Sequence, residues 1–449
     1  MLNNLAEKYD LRVPRYTSYP TAPHFTEAVG EADYGEWLGA LDGGAPVSLY
    51  FHIPFCDTLC WFCGCYTKIV NSYQPVADYL ESLLLELDLV AERLGGRHSA
   101  RHLHWGGGSP TLLTPDDWRR MLDAIRARFE VADDAEIAVE LDPRETTEAY
   151  VAALAAGGVN RVSIGVQDFH PEVQAAVNRI QPFEVTQRVI GWMRAHGIDA
   201  VNMDLLYGLP HQTEARVVDM VDLAVSLGPQ RLALFGYAHV PWMKKHQRLI
   251  DENALPDADQ RWRQAEAAAA RLVEHGFVRI GFDHFARPDD SLAAALAGGA
   301  LRRNFQGYTS DQEAVLIGLG ASAIGMLPQG YVQNISPLKD YARAVGEGRL
   351  PTVRGVRLSP EDRLRRAAIE CILCDMKADL TDLCRRHGED ISIFADELAA
   401  LGPYVEDGIC RVAGGTVEVA DAYRPFARLV AAAFDAYLEP GGKRHARAV

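Results

Sequence analysis

The feature that most constrains the fold is an alternation of β-rich runs with amphipathic helices. Six runs carry the pattern: PVSLYFHIP (46–54), RHLHW (101–105), EIAVEL (136–141), RVSIGV (161–166), AVNMDLLYG (200–208) and RLALFGYA (231–238). Strands joined by helical crossovers pair in parallel, so the pattern predicts an α/β fold. The number of runs favours a barrel, or a large part of one, over a doubly wound open sheet. Polar residues follow the strands at their carboxyl ends, where barrels carry their active sites.

The helical crossovers are predicted from periodicity and from residues that begin and end helices. Apolar side chains recur on one face after Pro75, and Gly95 and Gly96 end the pattern. A proline in the first turn and a glycine after the last are typical of helix ends. Thr114 is predicted to cap a second helix that begins at Pro115.

The chain is predicted to contain three segments. An N-terminal arm rich in Pro and Tyr covers 1–45, a barrel with an extension covers 46–350, and a small, mainly helical C-terminal domain covers 360–449. Past residue 240 the barrel pattern weakens. The run LIGLGASAIGM (316–326) is interpreted only as apolar and glycine-rich.

Composition narrows the classes of function. The chain has 449 residues, of which 48% are hydrophobic, enough for a sizeable core. The net charge of −16 argues against a nucleic-acid binder, and an anionic substrate would need a local Arg or Lys pocket. The sequence shows neither a signal-peptide pattern nor an apolar run of membrane-spanning length. We therefore expect a cytoplasmic protein that binds neither membranes nor nucleic acids.

Four cysteines stand within ten residues in FHIPFCDTLCWFCGC: Cys56, Cys60, Cys63 and Cys65. One tight loop with this spacing can place three thiolates on three corners of an iron–sulfur cube, which leaves the fourth iron open. Counting alone allows four ligands instead. A structural zinc site would need a second C-x-x-C pair or histidines nearby, and the next cysteine is Cys371. We therefore favour a cluster over zinc.

Further candidates follow the second and third predicted strands. Gly106, Gly107 and Gly108 would let the backbone approach a ligand closely, although a tight turn alone would also explain them. Glu140 and Asp142 could accept hydrogen bonds from a bound ligand.

The spacing C-x-x-x-C-x-x-C resembles the signature of the radical S-adenosylmethionine (SAM) superfamily. The resemblance implies a [4Fe–4S] cluster held by Cys56, Cys60 and Cys63, with SAM bound to the open iron. Reductive cleavage of SAM would give a 5′-deoxyadenosyl radical, which a barrel interior can shield. Cys65 would not be a ligand.

Longer motifs, among them VPRYTSYPTAPHF, HWGGGSPT, ELDPRE, VSIGVQDFHPEVQAAVNRIQ, MDLLYGLPHQT and RRNFQGYT, resemble the oxygen-independent coproporphyrinogen III oxidases. The resemblance runs from about residue 12 to the C-terminal domain. It implies conversion of two propionates of coproporphyrinogen III to vinyl groups, which gives protoporphyrinogen IX in haem synthesis. Cys65 and the long N-terminal arm favour this family over the related haem chaperones. A radical SAM methyltransferase is a further alternative.

The resemblance also implies two SAM sites. The first, cluster-bound SAM would contact Tyr50, Gly107, Glu140 and Ile324. The second would contact Phe62, Gly108, Ser109, Gln167, Arg179, Asp204 and Ala238. Ser109 stands where the family pattern has threonine, and it keeps the hydroxyl. Without the resemblance, Tyr50, Ile324 and Ala238 would be interpreted as core.

The implied reaction needs partners. We expect an electron donor such as flavodoxin or ferredoxin, and an acceptor that the sequence does not identify. A monomer is expected on family grounds. Arg15, Arg302 and Arg303 are candidate contacts for the substrate propionates, because guanidinium pairs with carboxylate in a two-pronged geometry.

Overall fold

The computed structural model describes Leu5, Lys8, Tyr9 and residues 11–438. The chain forms two compact units. We name one the cysteine unit, Phe25–Asp204 with Glu313–Arg357, and the other the cavity unit, Met1–His24 with Leu205–Gln312 and Leu358–Val449. Parts of the predicted arm (1–4, 6–7 and 10) and the end of the predicted C-terminal domain (439–449) lie outside the described residues.

The described residues form strands and helices in an alternating order. The strands are β1 (Val47–Ile53), β2 (Phe55–Cys56), β3 (Lys68–Ile69), β4 (Ser99–Gly107), β5 (Glu130–Leu141), β6 (Arg161–Gln167), β7 (Ala200–Tyr207), β8 (Arg231–Gly236), β9 (Val278–Ile280), β10 (His284–Ala286), β11 (Arg302–Asn304), β12 (Gly307–Thr309), β13 (Leu316–Leu319), β14 (Ile324–Leu327), β15 (Gly330–Asn334), β16 (Thr352–Arg357), β17 (Lys377–Asp379), β18 (Cys410–Ala413) and β19 (Thr416–Val419). The helices are α1 (Glu31–Gly39), α2 (Gln74–Leu94), α3 (Pro115–Arg128), α4 (Glu148–Ala156), α5 (Pro171–Ala176), α6 (Phe183–Ala195), α7 (Glu214–Ser226), α8 (Ala258–Glu274), α9 (Ser291–Ala297), α10 (Leu338–Gly346), α11 (Pro360–Asp375), α12 (Leu380–His387), α13 (Ala395–Ala400), α14 (Gly402–Glu406) and α15 (Ala427–Ala432). No helix among the described residues is long and apolar enough to cross a membrane.

Each of the six predicted β-rich runs contains a strand: β1, β4, β5, β6, β7 and β8. Helices follow them as predicted, and α2 ends at Gly95, whose φ of +66° suits glycine. Thr114 caps α3, because its hydroxyl accepts a hydrogen bond from the Asp117 N–H at 3.1 Å. The α/β fold class, of the partial (β/α)6-barrel type, is confirmed.

The sheet of the cysteine unit is parallel at its centre. Its order is β16-β15-β14-β13-β1-β4-β5-β6-β7. β1 pairs in parallel with both β13 and β4, and β5 continues in parallel with β4 and β6. Their carboxyl ends therefore meet at one edge, and Gly107, Asp142 and Gln167 lie at or directly after these ends. Behind the strands, Phe51 stacks on Trp105 with ring centroids 4.8 Å apart.

The run 316–326 is a part of the sheet that the sequence did not reveal. It forms β13 and β14, which pair antiparallel around Leu316 and Met326. All four residues of β13 are buried, so the run lacks the alternation that indicates a strand. Gly318 is required there, because an added Cβ would lie 2.5 Å from the Ile324 carbonyl oxygen.

The cavity unit combines a small sheet with helices. β10 pairs antiparallel with β8 and with β9, and β17, β19 and β18 form a separate three-stranded sheet. Its core includes Trp262, Ile369, Phe394 and Phe434. Both units are assembled from segments distant in sequence, whereas the predicted segments were consecutive; the boundaries at 45 and at 350–360 remain predictions.

Candidate active site

The four clustered cysteines lie in one loop of the cysteine unit, after β1. Cys56 ends β2 and is half-buried, Cys60 is buried, Cys63 is half-buried and Cys65 is exposed. The Cys65 N–H lies 3.4 Å from the Cys63 sulfur. Burial, together with the neighbouring Cys63, raises the pKa of the Cys56 thiol. An ionised thiolate at Cys56 therefore needs positive charge beside it, which the iron of a cluster supplies.

Two hydrogen bonds hold the cysteine loop against the residues that follow α5. The Trp61 N–H donates to the Val177 carbonyl at 2.9 Å, and Asn178 Nδ2 donates to the Leu59 carbonyl at 2.8 Å. Both partners follow helix α5. Phe62, a predicted contact of the second SAM, stands on this tethered part of the loop and is half-buried.

Two guanidinium groups surround the sulfur of Cys60. Arg179 Nη1 lies 3.4 Å from it and Arg144 Nη2 lies 3.6 Å from it. Both groups also pair with Asp142, at 3.1 and 2.6 Å. Burial opposes ionisation of Asp142, but Arg179 and Arg144 outweigh it and lower the pKa of this carboxyl. The Asp142 carboxylate therefore holds both guanidinium groups beside the Cys60 sulfur.

Gly106 and Gly107 end β4 beside the cysteine loop, Gly108 follows directly, and close approach explains all three glycines. Gly107 has a φ of +109°. A Cβ on Gly108 would lie 2.5 Å from the Phe55 carbonyl oxygen, and one on Gly106 would lie 2.5 Å from a carboxylate oxygen of Glu140. The glycines therefore let β4 approach the start of the cysteine loop. Contact of Gly107 and Gly108 with SAM remains a prediction.

Two histidines, His52 and His104, contact residues that are predicted to bind the first SAM. Glu140 accepts a hydrogen bond from the Gly107 N–H at 3.1 Å and lies 3.2 Å from His104 Nε2. His104 stacks on Tyr50 with centroids 5.8 Å apart, and the Tyr50 hydroxyl lies 3.0 Å from His52 Nδ1. Burial opposes ionisation of Glu140, but the hydrogen bond from His104 helps to lower its pKa. An ionised Glu140 can accept a hydrogen bond from an ammonium group.

Ser109 belongs to a buried polar cluster. Its hydroxyl donates to Glu145 Oε2 at 3.0 Å and also bonds the Thr111 hydroxyl. Burial, the facing Asp57 and the charge of Asp142 raise the pKa of Glu145 to about 8. Ser109 has a hydroxyl group, as the expected threonine would, and this group bonds to Glu145 and Thr111 within the protein.

The remaining predicted contacts in the cysteine unit stand on three strands. Gln167 ends β6 with a φ of +69°. Asp204, on β7, accepts hydrogen bonds from Ser163 Oγ at 3.2 Å and Asn202 Nδ2 at 2.9 Å. Ile324 begins β14 and is half-buried. Their roles toward SAM remain predictions.

The other predicted contacts belong to the cavity unit. Ala238 is half-buried there. Arg15 is exposed, and its Nη2 donates to the Gly236 carbonyl at 3.3 Å. Arg302 is also exposed and lies 3.3 Å from Glu370, whereas the side chain of Arg303 is only 4% exposed. The three candidate propionate contacts therefore have different surroundings.

The donor set of the cysteine loop fits a cluster. A [4Fe–4S] cluster takes each thiolate on a different iron, so its ligands lie further apart than the ligands of one ion. Among the described residues, no three His, Cys, Asp or Glu side chains converge as ligands of a single metal ion. Cys56, Cys60 and Cys63 would hold the cluster, with Arg144 and Arg179 beside Cys60.

The sequence model of the radical SAM superfamily matches residues 50–224, which span the cysteine loop and strands β4 to β7. The fold and this loop define the class, a radical SAM protein. The predicted cofactors, a [4Fe–4S] cluster and SAM, are those of this class.

Full-length relatives narrow the class. The chain is 50% identical over 100% of both chains to an oxygen-independent coproporphyrinogen III oxidase of Bradyrhizobium diazoefficiens, and 46% identical to one of Paracoccus denitrificans, over 96% of this chain and 95% of the relative. Among solved structures, a coproporphyrinogen III oxidase from Escherichia coli, described as a radical SAM enzyme, matches with a TM-score of 0.90 and 38% identity, over 95% of this chain and 100% of that one. The chain belongs to the oxygen-independent coproporphyrinogen III oxidase family.

Sequence reasoning missed several residues of the site. Arg144 and Glu145 stand within the motif ELDPRE, and His104 stands within HWGGGSPT, but no role was predicted for them. The position of these three residues in the sequence could have identified them, because all three lie near the carboxyl end of a parallel strand. Asp142 was predicted to bind a ligand, and the structure pairs it with two arginines.

Proposed function

We propose that this protein converts two propionate side chains of coproporphyrinogen III to vinyl groups and so forms protoporphyrinogen IX in anaerobic haem synthesis. Each propionate loses one hydrogen atom from its β-carbon, carbon dioxide and one electron. Cys56, Cys60 and Cys63 would hold the cluster, which together with SAM would supply the radical chemistry that removes this hydrogen atom. The electron that each propionate loses passes to an acceptor.

The observation that carries this proposal is the extent of the similarity. The relatives match the chain over 96% or more of its length at 46–50% identity, so the similarity includes both units. The superfamily match alone covers residues 50–224 and would leave the reaction open.

The residues that the resemblance names would hold the cofactors. Cys56, Cys60 and Cys63 hold the cluster. Tyr50, Gly107, Glu140 and Ile324 contact the first SAM, and Glu140 is supported by the Gly107 N–H and by His104. Phe62, Gly108, Ser109, Gln167, Arg179, Asp204 and Ala238 contact the second.

The partners follow from the electron balance. A flavodoxin or ferredoxin supplies the electron for the cluster, and a separate acceptor takes the electron from the substrate. The enzyme acts as a monomer in the cytoplasm, where a reducing environment keeps cysteines from forming disulfides.

The decisive experiment is anaerobic incubation of the reconstituted protein with reductant, SAM and coproporphyrinogen III. We expect protoporphyrinogen IX and carbon dioxide, with two molecules of methionine and 5′-deoxyadenosine per molecule of product. Product and gas are measured by chromatography and by isotope release from carboxyl-labelled substrate.

A Cys63→Ala variant is the control for this assay, because it removes a cluster ligand and should form no product. Methylation of the tetrapyrrole, or retention of haem without release of carbon dioxide, would contradict the proposal and favour a methyltransferase or a haem chaperone.

A further inference from the structure

A cavity of about 470 Å³ lies within the cavity unit and has a strongly charged lining. Six arginines line it: Arg12, Arg15, Arg261, Arg279, Arg424 and Arg428. Four carboxylates line it as well: Glu252, Asp257, Glu266 and Asp283. The lining is therefore cationic in a chain whose net charge is −16.

Three of the four acidic side chains of the lining have close partners in the protein. Asp257 caps helix α8 by accepting the Gln260 N–H at 2.8 Å. Glu252 lies 3.1 Å from His239 Nε2, and Asp283 lies 2.6 Å from the ring of its neighbour His284. These carboxylates are thus engaged locally, which leaves the arginines as the dominant charge toward a ligand.

Three arginines crowd around one carboxylate at the wall of the cavity. Arg303 Nη1 lies 3.9 Å from Asp283 Oδ1, and this nitrogen has no hydrogen-bond partner among the described residues. Arg428 is buried, and burial together with the charges of Arg15 and Arg303 lowers its pKa to about 10. Buried like charges are costly unless anions compensate them. Three guanidinium groups lie around Asp283, and six arginines against four carboxylates line the cavity, so a bound anion would stabilise the cluster.

The N-terminal segment is fixed against this wall. Arg428 Nη2 donates to the Val13 carbonyl at 2.6 Å, and Arg428 Nε donates to the Pro14 carbonyl at 3.1 Å. These bonds hold the backbone between Arg12 and Arg15, both of which line the cavity. The motif VPRYTSYP thus has a structural role, because its first residues hold Arg15, and Arg12 directly before it, at the cavity.

Aromatic rings form another part of the lining. Phe235 lies under Arg15 at 5.6 Å, Trp242 lies under Arg12 at 4.7 Å, and Tyr207 lies under Arg261 at 5.8 Å. Dispersed guanidinium groups suit several separate carboxylates, and aromatic faces suit flat rings. A tetrapyrrole with carboxylate side chains combines both features, whereas a compact phosphate uses neither the rings nor the spread of charge.

We propose that this cavity binds propionate carboxylates of the porphyrinogen, with Arg12, Arg15 and Arg279 as contacts that the ligand reaches. The proposal rests on the proposed function. It separates the three arginines that the sequence grouped, because Arg15 lines the cavity, Arg303 supports its wall, and Arg302 is exposed and paired with Glu370.

The test is a titration of the holoenzyme with coproporphyrin III, the oxidised tetracarboxylate, followed by its fluorescence. Arg12→Gln, Arg15→Gln and Arg279→Gln should each weaken binding by about tenfold, because each removes charged hydrogen bonds to carboxylate. Arg428 is left intact, since it holds the N-terminal backbone. Arg411→Gln is the matched control, because this exposed arginine of the same unit pairs with Glu418 outside the cavity. The control should bind within about twofold of the wild type.

A second probe, the tetramethyl ester of coproporphyrin III, keeps the rings and removes the charges. It should bind at least about tenfold more weakly than the acid, and equal binding would overturn the proposal. So would unchanged affinity in all three cavity variants. If the wild type forms protoporphyrinogen IX while the variants keep their affinity and KM, the cavity proposal alone fails. If the variants lose coproporphyrin binding while the wild type forms no product, the proposed function fails and the cavity stands as a carboxylate site.

Discussion

At the scale of the residue, Cys60, a proposed cluster ligand, has two cationic side chains beside its sulfur. Its sulfur is buried and lies within 3.6 Å of two guanidinium groups, which Asp142 holds. Asp142 thereby fixes the positions of both guanidinium groups beside the sulfur. Arg179 therefore acts as a positioning residue for the loop.

Cys65 has the opposite surroundings, and its role can be tested by substitution. It is exposed, and it contacts Cys63 through its backbone N–H and through its side chain; serine retains the N–H and a polar side chain. We expect Cys65→Ser to keep the iron content and visible absorbance of the wild type, whereas Cys56→Ser, Cys60→Ser and Cys63→Ser each lose the cluster. The measurement is iron and sulfide per chain after anaerobic reconstitution. Loss of iron from the Cys65→Ser protein would mean that the loop supplies a fourth ligand.

At the scale of the element, the end of β4 and the start of the cysteine loop form one packed unit. The Gly108 N–H donates to the Ile53 carbonyl at 2.8 Å, and the Ser109 N–H donates to the Phe55 carbonyl at 2.6 Å. This contact is between backbones, so it cannot accommodate a Cβ by rotating a side chain. The glycines therefore set how closely the predicted SAM-binding segment approaches the cysteines.

Gly108→Ala should disrupt that approach. The new Cβ would lie 2.5 Å from one backbone atom of Phe55 and 2.7 Å from another, so the strand or the loop must move. We expect a loss of about 1–3 kcal/mol in the free energy of unfolding and a lower iron content, measured by chemical denaturation and iron analysis. Gly96→Ala is the matched control, because nothing lies within 4 Å of its Cβ position. An iron content in Gly108→Ala equal to that of the control would show that the approach is not needed for the cluster.

The elements also show what a sequence can and cannot reveal here. β1 and β4 to β8 were predictable because each is a short apolar run followed by a helix with a clear start, such as α3 with its Thr114 cap. β13 was not predictable, because a fully buried strand shows no alternation and its parallel partner β1 lies far away in sequence. The proposed cysteine ligands were predicted from local spacing. By contrast, the arginines of the cavity come from segments that only the fold brings together, and they carry no local pattern.

At the scale of the whole molecule, the chain is negatively charged but the lining of the cavity is rich in arginine. The chain carries 61 acidic and 45 basic residues, yet six arginines line the cavity. A negative protein would repel a tetracarboxylate at long range, and that repulsion is screened beyond roughly 10 Å at 0.1 M salt. Recognition of such a substrate must therefore depend on contacts inside the cavity, which is where the Arg→Gln series acts.

The cysteine unit consists of two segments that lie far apart in the chain. The side chain of Glu86 in the first segment forms hydrogen bonds with the second. Its carboxylate, on α2, is fully buried. It accepts hydrogen bonds from the Gly320 N–H, Asn334 Nδ2 and the Tyr341 hydroxyl, each at 2.6 Å. All three donors belong to the segment 313–357, which supplies β13 to β16. One acidic side chain thus fastens the returning segment to the centre of the sheet.

The buried Glu86 predicts that the stability of the protein depends on pH. Burial raises the pKa of Glu86 from 4.5 to about 7 in the folded protein, although its three donors favour the ionised form. The folded state therefore binds the proton more tightly than the unfolded state, and stability from this group is complete below pH 4.5 and is lost as the pH rises to 7. The loss amounts to about 3 kcal/mol. Glu86→Gln should remove this slope, so the difference in unfolding free energy between wild type and variant should change by that amount across the interval.

The measurement is chemical denaturation of the full-length protein at several values of pH across this interval. Glu92→Gln is the matched control, because Glu92 is exposed on the same helix and should leave the pH profile parallel to that of the wild type. The amide introduced by Glu86→Gln has a single carbonyl oxygen, which cannot satisfy three donors, so this variant should also lose part of the hydrogen bonding that fastens the segment. A profile of Glu86→Gln parallel to the wild type would mean that Glu86 keeps one protonation state throughout. The hydrogen bonds would then hold the returning segment without any response to pH.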